Sequence, residues 1–344
     1  MKTKKFLNLK KSYFIAEIGV NHNNDMALAK KMIISAKSSG ANAVKFQTFK
    51  AEKLVTPKTP LVKYQKKSTR SGKTHYDMIK SLELSEKNHL KLKKFCREID
   101  IDFLSTPYDL DSAKFLNKIG CKIFKTASAD IVDLELHTYL AKNKKKVIIS
   151  TGMSNFQEID KCIKIYRKHS NKNFILLHCV SNYPCSLKSL NLNIIPKLKK
   201  RYKCTVGYSD HSVGSIASIL SVALGAKVIE KHFTINKNLS GPDQKASDLP
   251  KDFKKMVEEI RSAEIALGKS VKKCQPEETQ MSKVSRKSLT LNKNILKGQE
   301  IKRSSLVMKR PGTGIFFYNL SKVLGKKVKK NLKKNYQIKL SDLK

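Results

Sequence analysis

Eight short runs of β-branched, aromatic and other apolar residues alternate with amphipathic helical patterns between Tyr13 and about Gly268. That rhythm restricts the fold more than any other feature of the chain. The runs are Tyr13 to Val20, Ala43 to Phe49, Asp102 to Pro107, Lys122 to Ser128, Lys146 to Gly152, Phe174 to Val180, Cys204 to Asp210 and Ala226 to Thr234. Each of the first seven leads through a loop into a helical segment, and the eighth leads to a helix expected over Pro250 to Leu267. Parallel strands need a crossover connection, usually a helix, so strict alternation predicts a parallel sheet. Eight such units over about 250 residues is the size of a closed (β/α)8 TIM barrel. An open, doubly wound sheet is the alternative.

Two stretches break the rhythm. Between Lys50 and Ser85 lies an insertion containing Tyr64-Gln65 and His75-Tyr76, longer than an ordinary connection and therefore expected to serve function. After Gly268 the pattern changes to a polar stretch, Lys269 to Lys283, followed by short strands and turns: Ser288 to Leu291, the Lys297-Gly298 turn, and Arg310-Pro311-Gly312-Thr313-Gly314. The expected organisation is a barrel over 1–268, a linker over 269–283 and a small domain over 284–344. A domain of that size lies near the lower limit for independent folding.

Of 344 residues, 40% are apolar, enough for one large core and a small second domain. The longest apolar candidate, Ile216 to Ala226, is too short for a membrane span and carries Ser218 and Ser221. The basic segment Met1 to Lys11 precedes an apolar run, but Glu17 inside that run argues against a secretory signal. Seven scattered cysteines without a CxxC pair suit a reducing compartment, and a soluble, cytoplasmic protein is expected. The net charge of +43 invites a polyanion as partner. Lysine supplies most of it along solvated helix faces, and the densest run, Lys326 to Lys334, has no arginine. Neither a nucleic-acid nor a membrane partner is expected; the excess would instead speed the approach of an anionic substrate.

Nearly every run ends in polar residues that an apolar strand does not need. Glu17 leads to Asn21-His22; Lys45 and Gln47, Ser105-Thr106, Lys125 with Ser128 and Asp130, and Ser150-Thr151 follow. The later runs add His178, then Ser181 and Tyr183, then Ser209-Asp210-His211, and last Glu230-Lys231-His232. In a TIM barrel these ends converge on the face where active sites sit. Two buried lysines with several hydroxyls require anionic partners, which a substrate phosphate and carboxylate would supply. His211 and His232, on neighbouring strand ends, suit one divalent ion such as Mn, Fe, Co or Zn, with open positions for water and substrate oxygen. His22 and His178 are possible orienting groups, whereas His75, His89, His137 and His169 read as surface or loop residues.

Ala16-Glu17-Ile18-Gly19-Val20-Asn21-His22, Val44-Lys45-Phe46-Gln47, Phe103-Leu104-Ser105-Thr106-Pro107, Ile149-Ser150-Thr151-Gly152-Met153, Leu177-His178-Cys179, Gly207-Tyr208-Ser209-Asp210-His211 and Glu230-Lys231-His232-Phe233-Thr234 closely resemble the sialic acid (N-acetylneuraminate) synthase family. Gly241-Pro242-Asp243 and Lys309-Arg310-Pro311-Gly312 continue the match, and the family's C-terminal antifreeze-like (SAF) module falls on this chain's small domain. The resemblance implies condensation of phosphoenolpyruvate with N-acetylmannosamine or a related N-acylated amino sugar to a nine-carbon 3-deoxy-2-keto acid plus phosphate. The alternative is a legionaminic or pseudaminic acid synthase acting on a diacetamido dideoxy hexose. A distant alternative is a polyanion-binding protein. By resemblance Lys45, Thr106, Lys125, Ser128, Ser150, Ser181 and Ser209 hold phosphoenolpyruvate, and His211 and His232 bind Mn2+ or Mg2+. Glu17, Gln47, Asp130, Tyr183 and Asp243 face the sugar, with Glu17, Lys45 and Lys125 in catalytic roles. Arg310 reaches a neighbour's active site in a homodimer. At Ser181 and Asp130 several family members carry Asn or Glu.

Overall fold

All eight expected runs form strands; β3 keeps its expected bounds, and the others are shorter by one to four residues at their ends. They are β1 (Tyr13–Gly19), β2 (Ala43–Thr48), β3 (Asp102–Pro107), β4 (Ile123–Thr126), β5 (Lys146–Ser150), β6 (Phe174–Cys179), β7 (Thr205–Asp210) and β8 (Val228–His232). The computed structural model describes residues 9–61 and 74–344. Tyr64, Gln65, the stretch 66–72 and most of the basic N-terminal segment lie outside the described residues. The strands pair in parallel in chain order, and β1 pairs with β8 as well as β2, so the sheet closes into a barrel. The chain divides into two compact units, Met1–Gly268 and Lys269–Lys344.

Alternation along the strands sorts side chains between two cores. Those pointing outward meet the helices. In the helix Phe156–Lys168, for example, Ile159, Cys162, Ile163 and Tyr166 share the buried face at helical spacing, and Asn155 and Glu158 form a capping box at its start. Those pointing inward begin as an apolar plug of Tyr13, Ile15, Leu104, Ile148, Ile175 and Val228. Gly207 belongs to this inner layer: a Cβ there would meet the Val228 carbonyl oxygen and the Leu177 side chain, so the barrel closes tightly at its position.

Two histidines correct the reading of the sequence. His89 and His137 are buried, not at the surface. His89 Nε2 lies 2.8 Å from Thr48 Oγ1, and His137 Nδ1 lies 3.0 Å from the Tyr166 hydroxyl. Both sit on amphipathic helices at buried positions; His89 is held through both ring nitrogens, its Nδ1 lying 3.0 Å from the Ser85 carbonyl oxygen, whereas His137 is held through Nδ1 alone.

The second unit has the helix Thr279–Ser285, then β9 (Ser288–Leu291) antiparallel to β10 (Leu306–Lys309). Its own core gathers Leu289, Leu291, Ile301, Val323, Val328 and Ile338. Gly298, with φ of +84°, makes the expected turn after Lys297. Among the described residues no helix is long and apolar enough to cross a membrane.

Candidate active site

Two residues beyond the apolar plug, the inward positions change character. Ile15 is followed by Glu17, Ala43 by Lys45, Leu104 by Thr106, Ile123 by Lys125, Ile148 by Ser150, and Val228 by Glu230. The period of two that builds the plug therefore also builds a polar layer directly above it. Lys45 Nζ lies 3.2 Å from Glu17 Oε2 and 3.4 Å from Glu230 Oε1. Lys125 Nζ lies 3.7 Å from Glu230 Oε1. All four side chains are nearly removed from solvent.

Hydroxyls complete the layer. Lys45 donates to Thr106 Oγ1 at 3.3 Å, Lys125 donates to Ser150 Oγ at 2.5 Å and to the Thr126 carbonyl at 2.9 Å, and Ser209 donates to Glu230 Oε1 at 3.0 Å. Gln47 donates from Nε2 to Glu17 Oε1 at 3.3 Å.

Burial and neighbours pull these groups apart. Burial drives the Glu17 carboxyl up to about 7, against the opposing pull of Lys45. Burial also disfavours the Glu230 carboxylate, but the ammonium groups of Lys125 and Lys45 outweigh it and hold Glu230 at about 2. Burial lowers Lys125. For Lys45 the carboxylates of Glu17 and Glu230 overcome burial and raise it. The result is one fixed carboxylate, Glu230, and one carboxyl, Glu17, poised to exchange a proton near neutrality.

A cavity of about 300 Å³ opens above this layer. Ser128 and Tyr183 line it, as do His211, His232 and Asp243. Beside it, Ser128 Oγ lies 2.9 Å from Cys179 Sγ and accepts from Gly152 N at 3.0 Å. A Cβ on Gly152 would stand 2.5 Å from Ser181 Oγ, 2.7 Å from Cys179 Sγ and 2.8 Å from Ser128 Oγ. The missing side chain leaves a small polar recess where these atoms converge.

His211 Nδ1 lies 2.8 Å from the Val180 carbonyl oxygen, which can only accept. The proton therefore sits on Nδ1, and Nε2, 3.5 Å from Ser209 Oγ, presents a lone pair. The His232 ring centre is 5.6 Å from that of His211, and its buried Nδ1 has no hydrogen-bond partner, with Asp243 Oδ2 3.9 Å away. Burial lowers the pKa of both histidines and keeps the rings neutral, the form that ligates metals. Among the described residues no group of three or more His, Cys, Asp or Glu forms a ligand set. The two imidazoles, one of them with an orphaned nitrogen, would fit an ion that takes its other ligands from water and substrate.

Other expected residues fall elsewhere. The Asp130 carboxylate accepts from Ala127 N at 3.2 Å, closing the turn Ser128–Val132, and burial raises it to about 7. Arg310 lies in the second unit, exposed, immediately after β10. His178 and His22 face away from the cavity: His178 Nε2 meets the Leu190 carbonyl at 2.6 Å, and His22 Nδ1 accepts from Asn24 N at 2.9 Å.

The sequence places Glu230 beside His232 at a strand end but does not reveal it as the partner of both lysines, and it gives no functional signal for Cys179 or Gly152. The available signal for Glu230 was parity, because it lies two residues before His232 and therefore on the same face of the strand.

Between the two histidine strands, an outward-facing ion pair fixes the backbone. Lys231 spends all three protons, on Asp210 Oδ2 (2.9 Å), the Ser212 carbonyl (2.8 Å) and the Gly214 carbonyl (3.0 Å). Asp210 also accepts from Ser212 N at 2.8 Å, Ser212 Oγ at 2.6 Å and Ser218 Oγ at 2.7 Å. His211 and His232 are the next residues along from this pair.

The residues 32–272 match the NeuB family, and 286–344 match the SAF domain. The chain belongs to the NeuB family of sialic-acid-type synthases. It is 43% identical over 329 residues, 95% of this chain and 98% of the relative, to the N,N'-diacetyllegionaminic acid synthase of Campylobacter jejuni. With the N,N'-diacetyllegionaminic acid synthase of Legionella pneumophila it shares 42% identity over 324 residues, 93% and 91% of the two chains. The crystal structure of the N-acetylneuraminic acid (sialic acid) synthetase of Leptospira borgpetersenii in complex with citrate superposes with a TM-score of 0.70 at 35% identity, covering 79% of this chain and 90% of that one.

Replacing Lys231 by Met leaves Asp210 charged and unpaired in the interior. Chemical denaturation is expected to show a loss of about 3–5 kcal/mol. A variant as stable as the parent would show that the pair holds nothing in place.

Proposed function

We propose that this chain condenses phosphoenolpyruvate with the aldehyde of an N-acylated amino sugar, giving a nine-carbon 3-deoxy-2-keto acid and phosphate. The observation that carries the reading is the buried layer of Lys45, Lys125, Glu17 and Glu230 under a polar cavity. Two buried ammonium groups with only one fully ionised carboxylate suit a dense anion such as phosphoenolpyruvate. The likeness to two N,N'-diacetyllegionaminic acid synthases favours the alternative acceptor, a diacetamido sugar, over N-acetylmannosamine.

In this reading Lys45 and Lys125, with Thr106, Ser150 and Ser209 beside them, orient the carboxylate and phosphate of phosphoenolpyruvate. Ser128 and Ser181, converging over Gly152, offer further hydroxyls to that anion. Carbon 3 of phosphoenolpyruvate attacks the aldehyde carbon, the carbonyl electron pair moves to the aldehyde oxygen, which takes up a proton to become a hydroxyl, and positive character develops at carbon 2. Glu17 stabilises that charge and takes a proton from the water that adds there. The tetrahedral product then loses phosphate, whose charge the two lysines balance. A divalent ion, Mn2+ or Mg2+, held by His211 and His232, would polarise the aldehyde oxygen when bound.

Gln47, Tyr183 and Asp243 face the sugar from the cavity wall. Asp130, from its turn, approaches the same end of the barrel. The assembly in this reading is a homodimer in which Arg310 of one subunit contacts the acyl group in the other. Seven free cysteines support a reducing, cytoplasmic setting.

The test is release of phosphate from phosphoenolpyruvate with each amino sugar, with the product weighed by mass spectrometry. Release with a diacetamido sugar and a product carrying three extra carbons is expected. No release with any amino sugar overturns the proposal.

Glu17 must be deprotonated to accept the proton, so kcat/KM should fall as pH falls through about 7. Glu17→Gln should lose that acid limb together with about 10²–10⁴-fold in rate. A variant with wild-type rate and the same pH profile would remove Glu17 from this role.

A further inference from the structure

The cavity has two chemistries, and the condensation uses only one. Its floor is ionic, but its wall on the β2–β3 side is apolar. Phe49 follows β2, Leu54 and Val55 end the short helix Ala51–Leu54, Met78 and Ile79 come from the helix His75–Ser81, and Tyr108 follows β3. These side chains do not belong to either barrel core. They pack as a separate apolar cluster around Val20, Phe49, Met78 and Leu82, built largely by the insertion between β2 and β3. From the two helices of that insertion, His75 is the one polar side chain among the described residues that lines the cavity.

A wall of this kind distinguishes sugars by their far end, away from the reacting aldehyde. A hydroxyl buried against Leu54, Val55 and Ile79 loses its water and gains no partner. An acetamido methyl, or a carbon lacking its hydroxyl, gains by the same burial. N-acetylmannosamine carries free hydroxyls beyond its acetamido group, whereas a diacetamido dideoxy hexose replaces hydroxyls with an acylamino group and hydrogen.

We infer that the apolar wall formed by Leu54, Val55, Met78 and Ile79 is the acceptor-selecting element of the site, favouring acylamino, deoxygenated sugars over polyhydroxylated ones. The inference rests on the condensation proposed above. It assigns a purpose to the two described helices of the insertion, which is too long for a simple connection. It also separates the tasks: strand ends hold the anion and carry the chemistry, and the insertion reads the acceptor.

The experiment measures kcat/KM for a diacetamido dideoxy hexose and for N-acetylmannosamine, in the full-length protein and in Val55→Thr/Ile79→Thr. Val55→Thr exchanges a methyl for a hydroxyl of the same size, Ile79→Thr exchanges an ethyl group for a hydroxyl, and both positions are half-buried, so the pair makes the wall polar with a modest loss of volume. The wild type should prefer the diacetamido sugar, and the double variant should lower that preference by about tenfold or more. The KM for phosphoenolpyruvate should hold, because that anion sits on the floor. If thermal melting shows the double variant unfolded, Leu54→Asn gives the same readout from the end of the short helix.

A wild type that prefers the diacetamido sugar, with a variant whose ratio stays within about twofold, overturns the wall and leaves the condensation standing. A wild type that prefers N-acetylmannosamine also overturns the wall. Turnover of neither sugar removes the condensation itself, and the inference with it.

Discussion

Lys45 lies between two carboxylates at 3.2 and 3.4 Å, and the second of these, Glu230, also faces Lys125 at 3.7 Å. Removing four ionisable groups from water is costly, and the mutual attraction of the ions only partly offsets that cost. An apolar layer would have filled the same space with less penalty. The barrel supplies such a layer directly below, in Ile15, Leu104, Ile148 and Val228. Keeping charge one step above that plug therefore points to chemistry. The arrangement also forces its members into unequal roles, with Glu230 firmly ionised at about 2 and Glu17 held near 7.

The rest of the site follows from this layer and from strand geometry. Because inward positions recur every second residue, the step from plug to charge occurs at the same height on several strands. One step further lie Gln47 after Lys45, His211 after Ser209 and His232 after Glu230. The ionic floor, the hydroxyls and the pair of imidazoles are thus successive storeys of one barrel. Outward positions do different work: Asp210 and Lys231 pin the same two strand ends from behind.

Much of this was legible in the sequence. Alternation of short apolar runs with helical patterns marks all eight strands, and the polar residues at their ends mark the candidate functional face. What the sequence hid was mostly parity and local closure. Glu230, Lys231 and His232 look alike as a charged strand end, yet the middle one points to the helices and the outer two point inward. His178 and Cys179 show the same ambiguity, and there the less conspicuous cysteine faces the cavity. Asp130 reads as a rim carboxylate, but its oxygen is used by its own turn, a short-range competition invisible without the backbone path. The apolar wall was hidden for another reason: Leu54, Val55, Met78 and Ile79 lie as two pairs far apart along the chain and come together only at the cavity they line.

The central claim is that the ionic floor is an anion cradle, and calorimetric titration with phosphoenolpyruvate alone tests it most directly. Wild-type protein should bind, and Lys125→Met, which removes one of the two ammonium groups, should bind at least about tenfold more weakly, as expected for loss of a charge-assisted contact. Equal affinity in the two proteins, with both folded, would contradict the account.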